Sequence, residues 1–227
     1  YNIRSLPVYI CFLDASKAFD RLNYWVLFRK LLDRGIPNIF IRLFCYWYLH
    51  QQLCVKWGSS LSDKFTTVNG VRQGGIISPI FFNVYMDDLI DKLKNANAGC
   101  YFNGYSMNHL FYADDSCLLA PSPAGLQSPV DICVDYSIGN TIIYNKTKSK
   151  CMCFKPSKRK NLYLPNIWLN DKILEYVETF KYLGVFISNS SKDLDDMLRH
   201  RGYIYSRGNF LIKQVYVLYK HCQATFV

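Results

Sequence analysis

The stretch NHLFYADDSCLLA, residues 108 to 120, sets two adjacent aspartates between two apolar runs of strand length, with no helical alternation of polar positions. That pattern predicts strand, tight turn and strand, with the Asp114 and Asp115 carboxylates at the hairpin tip. The opening LPVYICFLD is another β-rich run, about as long as one buried strand, and it ends on Asp14. Strand and helix patterns following one another in this way are expected to give an α+β class.

A second aspartate pair lies in NVYMDDLIDK, residues 83 to 92. Here Ile80, Phe81, Val84, Leu89, Ile90 and Leu93 recur with helical spacing, after Ser78 as N-cap and Pro79 in the first turn. In such a helix Asp87 and Asp91 lie one turn apart, and Asp88 and Lys92 form an i,i+4 pair in the favoured acid-before-base order. Periodicity makes Asp87 and Asp88 a solvated helix face and leaves the hairpin pair for chemistry.

Between these landmarks, Asp20 is expected to cap a helix with Leu22, Trp25, Val26 and Leu32 inward and Arg29, Lys30 and Asp33 outward. Gly35 and Pro37 end it and start an aromatic helix reaching about Leu49. LCVKW and KFTTVNGV read as two short strands. APSPAGLQSP is a connector that includes the start of a helix continuing as VDICVDYSIGN, with Pro129 placing its interior in question. Residues 146 to 160 carry seven positive charges and no acid, a solvated loop or a phosphate-facing patch. FKYLGVFIS reads as a strand, and Lys192 onward as mostly helical with Gly202 and Gly208 as weak points.

A net charge of +10 favours a polyanionic partner over a small metabolite. Nine cysteines at unpaired spacings read as buried reduced thiols, which points inside the cell. The apolar stretches are too short to span a bilayer, so no membrane is expected. A start at Tyr1 and an end on CQATFV suggest a piece of a longer protein.

Two-metal phosphoryl transfer uses two Mg²⁺ ions about 3.5–4 Å apart, held by few protein carboxylates because substrate phosphates and water complete their shells. Asp14 with Asp114 and Asp115 supplies that set if their strands are neighbours in one sheet. A lone Asp-Asp turn is most often only a solvated turn, so the order of motifs matters more than any one of them.

FLDASKAFDRL (12 to 22), NGVRQGGIISPIFFNVYMDDL (69 to 89), FYADD (111 to 115), NKTKSKCM (145 to 152) and FKYLGV (180 to 185) resemble, in order and spacing, the successive motifs of reverse transcriptases. The nearest look is that of non-LTR retrotransposons of the jockey or chicken-repeat-1 kind. The resemblance implies an RNA-directed DNA polymerase palm at 1–24 and 73–188, partial fingers and palm helices at 25–72, and the start of a truncated helical thumb at 189–227. It makes Asp14, Asp114 and Asp115 ligands of two Mg²⁺ ions, with Mn²⁺ as a substitute.

The resemblance also makes Phe19 the bulky side chain that excludes a ribose 2′-hydroxyl; otherwise it is an ordinary core phenylalanine. Gln73 and Gly74 would contact the incoming dNTP and the template base, and Arg72 a phosphate. Lys148 would serve the pyrophosphate leaving group, and Tyr182, Leu183 and Gly184 would grip the primer end. The implied partners are an RNA template, a DNA primer and dNTPs, and the implied location is the nucleus. Two alternatives stand beside this one: a truncated or domesticated palm that only binds nucleic acid, and a group II intron maturase-like protein.

Overall fold

The computed structural model describes residues 6–96, 98–102, 104–156, 163–190, 197–199 and 201–210. They divide into two units, Tyr1–Val177 and Glu178–Val227. In chain order the first contains β1 (Val8–Asp14), α1 (Ala18–Arg21), α2 (Tyr24–Asp33), α3 (Asn38–Leu49), β2 (Gln52–Leu53), β3 (Lys56–Trp57), β4 (Ser60–Leu61), β5 (Phe65–Thr66) and α4 (Ser78–Asn95). It continues with β6 (Cys100–Phe102), β7 (Tyr105–Met107), β8 (His109–Tyr112), β9 (Asp115–Ala120), α5 (Pro123–Gly139), β10 (Lys150–Phe154), β11 (Trp168–Leu169) and β12 (Lys172–Ile173).

The central sheet has strand order β10-β1-β9-β8, and every pair is antiparallel. Successive side chains of a strand face opposite ways. Cys11 pairs with Leu118 on one side and Cys151 on the other, and these belong to the hydrophobic core with Leu89, Leu93, Leu126 and Val130 of α4 and α5. Each such fully buried aliphatic side chain contributes about 1.5–3 kcal/mol. Helix α5 lies against β1 and β9, α4 against α5, and α2 against α4. The same alternation puts Asp14 and Asp115 on the face opposite this helical layer.

Helix α2 corrects two expectations. Its cap is Asn23, whose Oδ1 accepts from Trp25 N at 2.9 Å and Val26 N at 3.2 Å, while Asp20 lies inside the short α1. Its buried face is Tyr24, Leu27, Phe28, Lys30 and Leu31, with Trp25 and Leu32 outside. Ser78 likewise does not cap α4: it is the first helical residue, and its Oγ donates to the Arg72 carbonyl at 2.6 Å. Pro79 does occupy the first turn.

Helix α5 starts at the Ser122 cap, whose Oγ accepts from Gly125 N at 3.1 Å, and runs unbroken through a buried Pro129. The strands expected at 53–57 and 64–71 are two small nested pairs, β2 with β5 and β3 with β4.

In the second unit, FKYLGVFIS is a hairpin rather than one strand. β13 (Thr179–Tyr182) and β14 (Val185–Ser188) pair across Leu183 and Gly184, both at positive φ (49° and 82°), as a two-residue turn of this kind requires. The hairpin belongs to the second unit, although the motif order assigns it to the end of the palm. Residues 197–199 and 201–210 are helical, so Gly202 and Gly208 do not interrupt it; 191–196 and 211–227 of the expected thumb, and 157–160 of the basic run, lie outside the described residues.

All eight cysteines among the described residues are free, six of them buried. Among the described residues no helix is long and apolar enough to cross a membrane.

Candidate active site

Asp14 closes β1, and its backbone is held on both sides. Asp14 N donates to Ser149 Oγ at 3.1 Å, and Asn145 N donates to the Asp14 carbonyl at 2.8 Å. Ser149 is itself buried, and the Asn145 side chain accepts from Thr147 N and Lys148 N, folding residues 145–148 into a tight turn. Ser149 and Asn145 were not singled out from the sequence. The available signal was an asparagine with Asx-turn spacing just before the basic run, and a serine four residues after it.

Asp115 is the cross-strand neighbour of Asp14. Directly opposed residues of antiparallel strands have Cβ atoms about 4.5–5.5 Å apart on one face, so these carboxylates share a small volume. Tyr112 pairs with Asp115, which leaves Ala113 and Asp114 as the two-residue loop. Ala113 has φ 52°, a left-handed conformation that costs a non-glycine residue about 1–2 kcal/mol. The Asp115 carboxyl is pushed above the ordinary carboxylate range, first by burial, then by the charges of Asp114 and Asp14. Asp115 thus senses both of the other acids.

Among the described residues no group of three His, Cys, Asp or Glu side chains stands so placed that it could hold a metal ion by itself. An all-carboxylate donor set is nonetheless of the kind a hard divalent cation takes, with water and phosphate oxygens filling the rest of its shell. A divalent cation would also relieve the mutual repulsion that Asp115 registers.

The other candidates fall into separate places. Phe19 is partly buried, and its ring stacks on Phe82 at 4.6 Å between centroids and 17° between planes. Gln73 is exposed and its Nε2 donates to Asp20 Oδ1 at 3.4 Å; Gly74, also exposed, has φ 84°. Arg72 donates from Nε to Gln51 Oε1 at 3.1 Å, so its guanidinium already has one side-chain partner. Lys148 is exposed in the turn beside Ser149. Tyr182, Leu183 and Gly184 form the turn end of the β13–β14 hairpin in the second unit.

The other aspartate pair has a different role. Asp88 accepts from Lys30 Nζ at 2.6 Å, and Asp87 from Arg34 at 2.6 Å, so both join α4 to α2. The expected Asp88–Lys92 pair does not form; Lys92 Nζ sits 5.7 Å from the Tyr136 ring centroid, and Asp91 pairs with Lys94 at 3.3 Å. Lys30, expected to face solvent, is buried and also donates to the Tyr85 carbonyl at 2.9 Å and Tyr136 Oη at 2.6 Å. These acids clamp helices together rather than forming a plain solvated face.

Comparison with known proteins bears on this arrangement. The family described as reverse transcriptase (RNA-dependent DNA polymerase) matches residues 2–187. The chain is 33% identical over 128 residues to the Pol polyprotein of the type-2 retrotransposable element R2DM of Drosophila melanogaster, covering 56% of this chain and 12% of that protein. It is 26% identical over 186 residues to the RNA-directed DNA polymerase from mobile element jockey of Drosophila funebris, covering 79% of this chain and 19% of the relative.

Thus it spans only about an eighth to a fifth of their lengths. Among solved structures, telomerase from Candida tropicalis aligns with TM-score 0.57 at 14% identity, over 81% of this chain and 29% of that one. Telomerase from Candida albicans aligns with TM-score 0.55 at 15% identity, over 82% and 31%, and at these identities the likeness speaks for the fold alone. With five ordered motifs, an antiparallel sheet that gathers their aspartates, and a family match over most of its length, the chain belongs to the reverse transcriptases and is similar to those of non-LTR retrotransposons.

Proposed function

We propose that this chain is the polymerising domain of a non-LTR retrotransposon protein, adding dNTPs to a DNA primer 3′-hydroxyl on an RNA template in the nucleus. The observation that carries the reading is the cross-strand pairing of Asp14 with Asp115, with Asp114 in the adjoining turn. On this reading residues 1–24 and 73–188 belong to the palm, 25–72 to partial fingers and palm helices, and 189–227 to the start of the thumb.

Asp14, Asp114 and Asp115 would hold two Mg²⁺ ions, with Mn²⁺ as a substitute. Bound there, the ions supply activation of the primer hydroxyl and neutralisation of the leaving pyrophosphate. The protein's own part is geometric and electrostatic. Ser149 and Asn145 fix the backbone of Asp14 so that its carboxylate meets the hairpin tip in one place. The Phe19 ring occupies the space that a ribose 2′-hydroxyl would need. Gln73 offers amide hydrogen bonds beside Gly74, where the backbone is open to close approach. Arg72 lies next to them for a phosphate. The Lys148 ammonium stabilises charge developing on pyrophosphate. Tyr182, Leu183 and Gly184 seat the primer end.

Primer extension on poly(rA)–oligo(dT) by the full-length protein tests this reading. Incorporation is expected with Mg²⁺ and should disappear in the Asp114→Asn, Asp115→Asn double variant; undiminished incorporation by that variant would overturn the assignment.

A further inference from the structure

The segment leading to Gln73 is fastened to the turn that carries Phe19. Gly70 N donates to the Leu22 carbonyl at 2.8 Å and Val71 N to the Phe19 carbonyl at 2.9 Å. This approach requires glycine twice over. Gly70 has φ 88°, and a Cβ there would lie 2.7 Å from the Asp20 carbonyl oxygen and 2.8 Å from Asp20 Cα. Those are backbone atoms, which cannot swing aside as a side chain can.

The other end of the segment is stitched as well. Gly75 N donates to the Arg72 carbonyl at 3.0 Å, and Ser78 Oγ to the same oxygen at 2.6 Å. Behind Phe19 stands Phe82, 2% exposed on α4, its ring nearly parallel to that of Phe19. Gln73 reaches back to Asp20 with its amide nitrogen, which leaves Oε1 as the atom free to accept from a ligand. Between these anchors Gly74 has open space around it, with nothing within 4 Å of the point where a Cβ would stand.

We propose that Gly70 is a positioning residue for sugar selection. By letting residues 70–71 dock on the Phe19–Leu22 turn, it makes the Phe19 ring and the Gln73–Gly74 loop one rigid unit, backed by Phe82. The inference rests on the reading of Phe19 as the group that excludes the 2′-hydroxyl. A methyl group at residue 70 lifts the loop off the turn, loosens the Phe19 carbonyl and lets the ring retreat. Phe82→Leu opens the space behind the ring and reaches the same end by another route.

The experiment compares kcat/KM for dTTP and UTP on poly(rA)–oligo(dT) in the full-length protein, with thermal melting as a folding control. Gly70→Ala and Phe82→Leu should each lower the preference for dTTP by about tenfold or more, mainly through a higher kcat/KM for UTP, as expected when a group that excludes the 2′-hydroxyl shifts by roughly an ångström. Phe19→Ala is the reference. A preference unchanged in Phe19→Ala defeats the underlying reading of that residue. A preference lowered by Phe19→Ala but kept by folded Gly70→Ala overturns the role of Gly70, whatever Phe82→Leu does. Should Gly70→Ala fail to fold, Phe82→Leu decides whether the Phe19 ring acts as part of one rigid unit: a preference it leaves unchanged overturns the proposal.

Discussion

At the scale of single residues, Lys30 and Asp88 show how much depends on which partner faces water. Lys30 is 8% exposed, whereas the Asp88 side chain is 52% exposed. Lys30→Met keeps the apolar stem and removes the cation, so it should cost about 1 kcal/mol from lost hydrogen bonds. Asp88→Ala strands a buried ammonium without its counter-charge and should cost about 2–3 kcal/mol, the buried-pair figure discounted for the exposure of the carboxylate. Urea unfolding gives both values, and the reverse order would contradict this account. Magnesium titration calorimetry separates the two aspartate pairs: Asp87→Ala with Asp88→Ala should retain the binding heat, and Asp114→Ala should lose it. Helical periodicity made α4 legible in the sequence. It could not show that Asp87 and Asp88 meet Arg34 and Lys30, because those partners lie at the end of another helix and within it, some fifty residues earlier in the chain.

At the scale of elements, the sequence was clearest where hydrophobic period and punctuation agreed. β1, α3, α4 and the β8–β9 hairpin lie close to their expected positions. It misled where one polar letter had two possible jobs. Asp20 and Asn23 are both competent caps, and only the path of the chain into α1 decides between them. Pro129 looked like a break, yet α5 passes through it because the proline is buried within a helix packed on β1 and β9.

An interior proline costs about 3 kcal/mol, and Pro129→Ala gives up two buried methylenes at about 0.8 kcal/mol each. That variant should therefore gain about 1 kcal/mol, read as a raised melting temperature. The β13–β14 turn holds Leu183 at φ 49°, where asparagine is at ease and leucine is not. Leu183→Asn should slow amide exchange across this hairpin. A leucine kept against turn preference fits the primer-end role proposed for it.

At the scale of the whole molecule, thiol chemistry reports on the core. Burial pushes the Cys117 and Cys133 thiols up to about 12, so at neutral pH both are protonated and unreactive. Among the described cysteines, Cys54 alone is exposed and should react first with a thiol reagent. Cys11, Cys117, Cys133 and Cys151 should react only as fast as the fold opens; prompt labelling of these four in native protein would contradict the packing.

The position of β1 in the centre of its sheet also bears on how the protein is made. This strand leaves the ribosome before the others of its sheet, but its two neighbours are β9 and β10, so Cys11 must wait for Leu118 and Cys151. Such distant pairing is slow and leaves strand edges open in the meantime. A nascent chain halted before residue 115 would carry Asp14 with neither neighbouring strand yet made. The protein therefore acquires its acidic centre as a late event of synthesis, and during that interval the bare apolar strand is a natural client for chaperones.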